Sequence, residues 1–221
     1  MAKAAEKQTS RAVMMAGKER AIVMAAHDLF LREGFAGTSM DTIARSAGVS
    51  VKTIYSHFAN KDELFSKVML AACRDGLLSG ELPPDTVLAE RFGWFRETTQ
   101  HGLMEAGREY LSHLLSEEQV ALYRAVTRDA GRFPELGRQY QKNFARGRTG
   151  ILIAYLAGIA REKGWTARDI AQDAALYESL LRAGLFEEVL HGLRPGNAEE
   201  IERQAQAASK TMWGLFTGEC L

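Results

Sequence analysis

The chain has 221 residues, of which 46% are hydrophobic and 25% are charged, and its formal net charge is zero. These are ordinary values for a globular protein of one or two domains. The longest apolar run, residues 151–160, is about half of the roughly 20 residues that a membrane-spanning helix needs. The two distant cysteines, Cys73 and Cys220, make no disulfide framework, and the N-terminus lacks the apolar core of a signal peptide. We therefore expect a cytoplasmic protein.

Charge is distributed unevenly along the chain. The first 60 residues carry eight Lys or Arg against five Asp or Glu. Because the whole chain is neutral, the remainder must be mildly acidic. This distribution suits a protein that presents only its N-terminal end to phosphates.

Helix signals occur throughout the sequence, whereas the alternation of apolar and polar residues that marks strands is absent. Five pairs place an N-cap oxygen three residues before an acidic or amide side chain, each at the start of a segment with helical spacing of apolar residues. The pairs are Thr38 and Asp41, Asn60 and Glu63, Ser116 and Gln119, Thr166 and Asp169, and Asn197 and Glu200. Together they predict an all-α fold.

The N-terminal part is predicted to contain a flexible arm and one amphipathic helix. Residues 1–17 are polar and alanine-rich, which indicates a mobile terminus. A helix follows at residues 18–33, and Gly34 is predicted to end it as a left-handed cap. Its buried face is expected to carry Ile22, Ala26, Leu29 and Phe30.

Two short helices, at residues 39–47 and 51–58, are predicted to form a helix-turn-helix. Ala44 is small enough for the helices to cross closely, and Gly48 allows a positive φ at the turn. Ile54 follows at the spacing that places it on the inner face of the second helix. Such a hairpin lays its second helix in the major groove of DNA. It also occurs as a purely structural element, so a helical adaptor protein is the alternative.

Polar side chains at the start and on the outer face of this hairpin are the candidate DNA contacts. Their hydroxyl, amine and imidazole groups can reach base edges or phosphates, and valine can touch a thymine methyl. The candidates are Thr38, Ser39, Arg45, Ser50, Val51, Lys52, Thr53, Tyr55, Ser56, His57 and Lys61.

The remaining helices are predicted from spacing, proline and glycine. Their expected ranges are 60–78, 86–106, 116–130, 134–163 with a kink near the glycines at 147 and 150, 167–191 and 198–216, with a break at 80–85. We divide the chain into the arm, a helix-turn-helix domain at 18–65 and a helical domain at 66–221.

Residues 25–65 resemble the DNA-binding domain of the TetR family of bacterial regulators. The motifs that carry the resemblance are G-F-x-x-T-S, I-A-x-x-A-G-V-S, T-I-Y-x-H-F and N-K-x-x-L-F. Residues 122–140 are similar to the C-terminal domain of the AefR-like branch. The resemblance implies a homodimer, a palindromic DNA operator and a C-terminal pocket for a small apolar or aromatic effector that releases the protein from DNA. Many relatives have a polar residue where this chain has Val51.

Two further sets of residues follow from these expectations. A single helix reads few bases, so a dimer is also expected on physical grounds, and close-packing positions on residues 134–191 are its candidate interface: Leu152, Leu156, Ala157, Ala174, Leu181 and Leu185. The candidate effector-binding residues lie in the middle of the chain: Phe92, Trp94, Phe95, His101, Met104, Tyr110 and Tyr123. The pocket is expected between the helices at 60–78 and 167–191.

The sequence shows no enzymatic motif. No nucleophile elbow, phosphate-binding loop or H-E-x-x-H metal motif is present, and the five histidines are scattered. We therefore expect no catalytic residue, no metal and no cofactor. A repressor is the first reading, and an activator of the same fold or a structural protein is the alternative.

Overall fold

A computed structural model describes residues 2–72, 82–142, 146–164 and 169–218. All regular structure in these ranges is helical, which confirms the all-α prediction. In chain order the α-helices are α1 (Ala2–Gly37), α2 (Met40–Ser46), α3 (Val51–His57), α4 (Lys61–Ala72), α5 (Asp85–Arg91), α6 (Gln100–Leu114), α7 (Glu117–Ala130), α8 (Pro134–Tyr140), α9 (Arg146–Lys163), α10 (Ile170–Arg182), α11 (Leu185–Leu190) and α12 (Ala198–Thr217). None of the described helices is long and apolar enough to cross a membrane.

The chain divides into two compact units. The first unit comprises residues 1–76 and 122–143, and the second comprises residues 77–121 and 144–221. This division differs from the predicted boundary at residue 65, because residues 122–143 group with the N-terminal helices rather than with the C-terminal domain.

The first unit is built around α1. This helix begins at Ala2, well before the predicted start at residue 18. Gly34 interrupts it with φ 79° and ψ 171°, a conformation that only glycine adopts without strain. The break lies where we predicted it, although ψ places Gly34 outside the left-handed helical region. The predicted face of α1 is buried: Ile22, Ala26, Leu29 and Phe30.

An aromatic cluster fills the centre of the first unit. Phe35 has its ring centroid 5.6 Å from that of Phe30, 5.4 Å from that of Phe65 and 5.0 Å from that of Phe133. Phe30 and Phe65 also meet edge to face at 5.2 Å. Because Phe133 directly precedes α8, this cluster ties residues 122–143 to α1 and α4.

Three of the five predicted helix starts are confirmed as caps. The side chains of Asn60, Ser116 and Asn197 accept hydrogen bonds from the backbone N–H groups of the third residues after them. Thr166 lies outside the described residues, and the cap of α10 is Asp169, whose carboxylate accepts the N–H groups of Ala171 and Gln172. The fifth, Thr38, has another role that is described below. Both cysteines also lie outside the described residues.

Two long predicted helices are interrupted, and a third is described only in part. The helix expected at 86–106 ends at Arg91, continues as a 3₁₀ turn at Gly93–Arg96, and restarts where the Thr99 hydroxyl accepts the Gly102 N–H. The helix expected at 167–191 breaks at Gly184, whose φ is 78°. The helix expected at 134–163 is described as α8 and α9, and residues 143–145 between them lie outside the description. The cap at Thr99 and the positive φ of Gly184 therefore end helices that the spacing of apolar residues predicted to continue.

The second unit packs α12 along α6 and α10 along α9. Two buried tyrosines on α9 and α10 anchor their hydroxyls on backbone carbonyls. Tyr155 donates to the Glu97 oxygen and Tyr177 donates to the Leu103 oxygen, both at 2.6 Å. Burial raises the pKa of both hydroxyls far above the ordinary value of a tyrosine, so they act as permanent donors.

Most residues of the predicted dimer interface are buried within the single chain. Leu152, Leu156, Ala174, Leu181 and Leu185 are buried within the single chain, and Ala157 is half-buried. Their close-packing pattern serves contacts among α6, α9 and α10, because small and apolar residues allow helices of one chain to approach as readily as helices of two.

Candidate nucleic-acid interface

The helix-turn-helix has the geometry that its sequence predicts. Gly48 adopts φ 66° in the turn, and the Val49 N–H donates to the Ala44 carbonyl at 3.0 Å. Ala44 and Ile54 are buried between the two helices. A Cβ at Gly48 would touch nothing within 4 Å, so the requirement at this position is the positive φ rather than space.

Serine caps fix the beginnings of both short helices. Ser39 Oγ accepts the Thr42 N–H, and Ser50 Oγ accepts the Thr53 N–H, each at 3.1 Å. The two cap oxygens also pair with the threonine hydroxyls at 2.8 Å. Ser39, Ser50 and Thr53 therefore have intramolecular partners, and their first role is to position α2 and α3.

The α3 helix buries only Ile54. Lys52, Tyr55 and Ser56 are exposed, and Val51, Thr53 and His57 are half-buried. Tyr55 exposes 55% of its surface, which is unusual for a large aromatic residue without a partner. We call the exposed set Arg45, Lys52, Tyr55 and Ser56 the recognition face.

Three members of the recognition face are available for an external partner. Within the described residues, the side chains of Arg45, Lys52 and Tyr55 form no hydrogen bond or ion pair. Ser56 is different, because its hydroxyl donates to the Thr53 carbonyl at 2.6 Å. Two cations and a phenol without internal partners suit phosphate and base-edge contacts.

Two predicted contact residues, Thr38 and Lys61, differ from the recognition face because their side chains bind backbone carbonyls. Thr38 is only 2% exposed, and its hydroxyl donates to the carbonyls of Gly34 and Leu29. Lys61 donates from Nζ to the carbonyls of Phe35 and Thr38, at 2.7 and 2.9 Å. Both side chains thus hold backbone carbonyls at the end of α1 and in the connection to α2.

The position of Lys61 has a further consequence for its chemistry. Its Nζ lies 4.2 Å from the centroid of the Phe35 ring, and burial lowers its pKa from the ordinary value. Lys61 therefore joins the start of α4 to the end of α1, and the amine that we predicted to bind a phosphate already has partners within the chain.

Sequence reasoning missed Asp129, which holds the turn that leads into the hairpin. Its buried Oδ2 accepts the N–H of Phe35 at 2.7 Å and the N–H of Ala36 at 3.3 Å. These are N–H groups that the positive φ of Gly34 removes from the helical pattern. No local signal marks Asp129, because its partners are more than 90 residues away in sequence.

The seven residues predicted to bind an effector do not lie together in one site. Phe92 stacks on Trp94, the Trp94 and Phe95 rings meet at a tilt, and Trp94 also meets Tyr155 edge to face at 5.0 Å. His101 is exposed and Met104 is half-buried. The buried Tyr110 accepts a hydrogen bond from Arg182 Nε at 3.1 Å.

Tyr123 belongs to the other unit. Its ring packs edge to face against Tyr140, with 5.7 Å between the centroids. Only Phe92, Trp94 and Phe95 are thus brought together, as an aromatic cluster next to Tyr155.

Comparison with known families gives two matches. Residues 22–68 match the family model of bacterial regulatory proteins of the tetR family, and residues 101–216 match that of the AefR-like transcriptional repressor C-terminal domain. The first covers the helix-turn-helix and the second covers more than half of the chain.

Individual relatives agree with these matches. The chain is 37% identical over 84 residues to the HTH-type transcriptional repressor Rv3405c of Mycobacterium tuberculosis, over 36% of this chain and 45% of that protein. It is 39% identical over 61 residues to the HTH-type regulator YdeS of Bacillus subtilis, over 28% of this chain and 31% of that protein. The matched region thus spans less than half the length of these curated relatives.

Solved structures match over nearly the whole chain. A TetR-family regulator from Mesorhizobium loti has a TM-score of 0.73 at 26% identity, covering 91% of this chain and 97% of that one. The flavonoid-responsive regulator FrrA has a TM-score of 0.73 at 28% identity, covering 90% and 97%.

Proposed function

Because the chain belongs to the TetR family of bacterial helix-turn-helix regulators, which are not enzymes, we propose that it is a ligand-responsive transcriptional repressor. In this proposal a homodimer binds a palindromic operator through α3, and a small aromatic effector releases it. The match of residues 101–216 to an AefR-like repressor domain favours repression over activation.

The recognition face carries this proposal. In the part of the chain that the structure describes, its Arg45, Lys52 and Tyr55 side chains have no internal partner, and Ile54 is the only residue of α3 that is buried. A helix held in this way can enter a major groove without losing its packing. Val51 and the methyl of Thr53, both half-buried, supply apolar contacts to thymine methyls beside the charged groups.

Replacement of Lys52 or Tyr55 by alanine tests this assignment. The operator is first obtained by selecting tight binders from random duplex DNA. We expect each variant to bind the selected duplex at least about tenfold more weakly, which is about 1.4 kcal/mol. We also expect Lys52→Ala to reduce the salt dependence of binding, since a lost phosphate contact releases fewer counterions.

The control for this experiment is Lys163→Ala, an exposed lysine at the end of α9 in the second unit. It removes the same charge from a surface that the proposal keeps away from DNA. Loss of affinity in Lys163→Ala equal to that in Lys52→Ala would refute the assignment of α3.

For the homodimer we propose the solvent sides of α10 and α12. Leu176 on α10 exposes 42% of its surface and Leu215 on α12 exposes 53%. The exposed Ala175 and Ala207 lie on the same two helices. The helices are joined by Gln204, whose Nε2 donates to the carbonyls of Leu180 and Ala183. Small and apolar exposed residues on two adjacent helices suit a helical interface between copies.

The double variant Leu176→Glu with Leu215→Glu tests the interface. We expect sedimentation velocity to show a monomer where the wild type sediments as a dimer, because four carboxylates would be desolvated in the dimer. The control is Leu193→Glu, which changes an exposed leucine outside both helices. A double variant that remains dimeric would place the interface elsewhere.

The proposed effector is a small aromatic molecule. The support is the similarity to FrrA, which is described as flavonoid-responsive, together with the aromatic cluster of Phe92, Trp94 and Phe95. Addition of such a molecule is expected to weaken operator binding by the wild type.

A further inference from the structure

A groove of about 450 Å³ opens on the second unit between α5, the 3₁₀ turn Gly93–Arg96 and α9. This volume lies within the range of small-molecule sites in proteins. Residues of all three elements line it, among them Ala89, Phe95, Arg96, Ala154, Gly158 and Arg161. Of the residues predicted to bind an effector, only Phe95 belongs to this lining.

The apolar part of the groove has a small-residue floor and an aromatic wall. Ala154 and Gly158 follow each other by one turn of α9, and a Cβ at Gly158 would meet nothing within 4 Å. The Phe95 ring packs against two other rings, with its centroid 5.9 Å from that of Tyr155 and 6.0 Å from that of Trp94. A flat ring can therefore lie over Gly158 and against Phe95.

The Phe95 wall is preorganised by hydrogen bonds beneath it. The Tyr155 hydroxyl donates to the Glu97 carbonyl at 2.6 Å, and the Trp94 indole N–H donates to Glu109 Oε2 at 3.0 Å. Both neighbours of Phe95 are thus fixed before a ligand arrives, which lowers the entropic cost of binding.

The polar part of the groove offers donors and acceptors. Arg96 and Arg161 form no ion pair within the described ranges. Asp85 also lines the groove, and its carboxylate forms no hydrogen bond or ion pair within those ranges. Glu162 is partly engaged, because the Thr98 hydroxyl donates to its Oε1 at 2.5 Å. Guanidinium groups recognise carbonyl or phenolate oxygens, and carboxylates accept from phenolic hydroxyls.

We propose that this groove binds a small planar aromatic molecule carrying phenolic hydroxyls and an acceptor oxygen, and that this molecule is the effector. The ring lies between Phe95 and Gly158, the acceptor oxygens face Arg96 and Arg161, and a hydroxyl faces Asp85. The inference rests on the proposed function, since it assigns a site to the effector of a repressor. A purely aliphatic molecule would leave the Phe95 ring without an aromatic partner.

Filling the groove from Gly158 tests the site. Gly158→Leu places a side chain into open space without a clash at Cβ. The probe is naringenin, a polyphenol with planar aromatic rings, phenolic hydroxyls and a carbonyl oxygen, and the measurement is its Kd by isothermal titration calorimetry, with octanoate as the aliphatic comparison. We expect naringenin to bind the wild type at least tenfold more tightly than octanoate, and Gly158→Leu to weaken naringenin binding at least tenfold. The control is Lys163→Leu, on the same helix outside the groove, which should bind naringenin as the wild type does.

A second variant keeps the test decisive if Gly158→Leu misfolds. Arg96→Gln with Arg161→Gln changes two exposed side chains without internal ion partners, and it should weaken naringenin binding at least tenfold while the melting temperature stays unchanged. Unchanged naringenin affinity in both groove variants, or no naringenin binding to the wild type, overturns this inference.

Naringenin binding tests the groove, whereas operator binding without ligand tests the proposed function. The two proposals can therefore fail separately. A wild type that binds the selected duplex but not naringenin overturns the groove assignment alone. If the wild type selects no duplex, the proposal that the protein is a repressor is overturned.

Discussion

Gly102→Ala should lower the free energy of unfolding by about 3 kcal/mol, the upper part of the usual cost of overpacking a core. A Cβ at this position would lie 2.3 Å from the Glu97 carbonyl oxygen and 2.7 Å from the Tyr155 hydroxyl. These two atoms already form a hydrogen bond at 2.6 Å. The methyl group must therefore displace a backbone carbonyl or break a buried bond. In an open helix position the same substitution is normally favourable.

The matched control for this prediction is Gly158→Ala. Gly158 also lies within a helix, but a Cβ there meets no atom within 4 Å. We expect this variant to be more stable than the wild type by roughly 0.5–1 kcal/mol, the helix-propensity difference between the two residues. Urea denaturation of both variants measures the contrast. If both glycine replacements stabilise the protein, the close packing of α6 against Tyr155 is not present in solution.

Asp129→Ala should destabilise the first unit by about 3 kcal/mol, because two backbone donors lose a charged acceptor. The Phe35 and Ala36 N–H groups point at the Asp129 carboxylate in a buried position. Both residues lie between the break at Gly34 and the start of α2. We therefore expect operator affinity to fall with stability, since the turn that orients the hairpin is no longer held.

Two further variants define the cause of this effect. Asp129→Asn keeps an acceptor oxygen at the same place and should recover part of the loss in thermal and urea denaturation. Asp28→Ala removes an exposed carboxylate on α1 and should change stability by less than about 0.5 kcal/mol. An Asp129→Ala variant as stable as Asp28→Ala would mean that water satisfies the two N–H groups.

Local features were predictable from the sequence. Ala44, Gly48 and Ile54 lie within one hairpin, so their spacing determines both the turn and the buried contact. The positive φ of Gly34 and the cap at Asn60 follow from single residues and their immediate neighbours. In each case the interacting groups are less than about three helical turns apart, where periodicity and capping rules apply.

Long-range features were not predictable in this way. Helical spacing on residues 134–191 shows that leucines and alanines are packed, but not whether the neighbour is the same chain or a second copy, and five of the six predicted interface residues pack within the chain. Thr38 and Lys61 were assigned to DNA because polar residues beside a recognition helix usually face outwards. Their actual partners are backbone carbonyls at the end of α1 and in the connection to α2.

We propose that Tyr55 and its neighbours on α3 contact DNA. The most direct measurement is photo-crosslinking with a benzophenone amino acid at position 55, and separately at the exposed position 193 of the second unit, in the presence of the selected duplex. We predict a crosslink to DNA from position 55 and none from position 193. A crosslink from position 193 with none from position 55 would show that α3 is not the DNA-contacting helix.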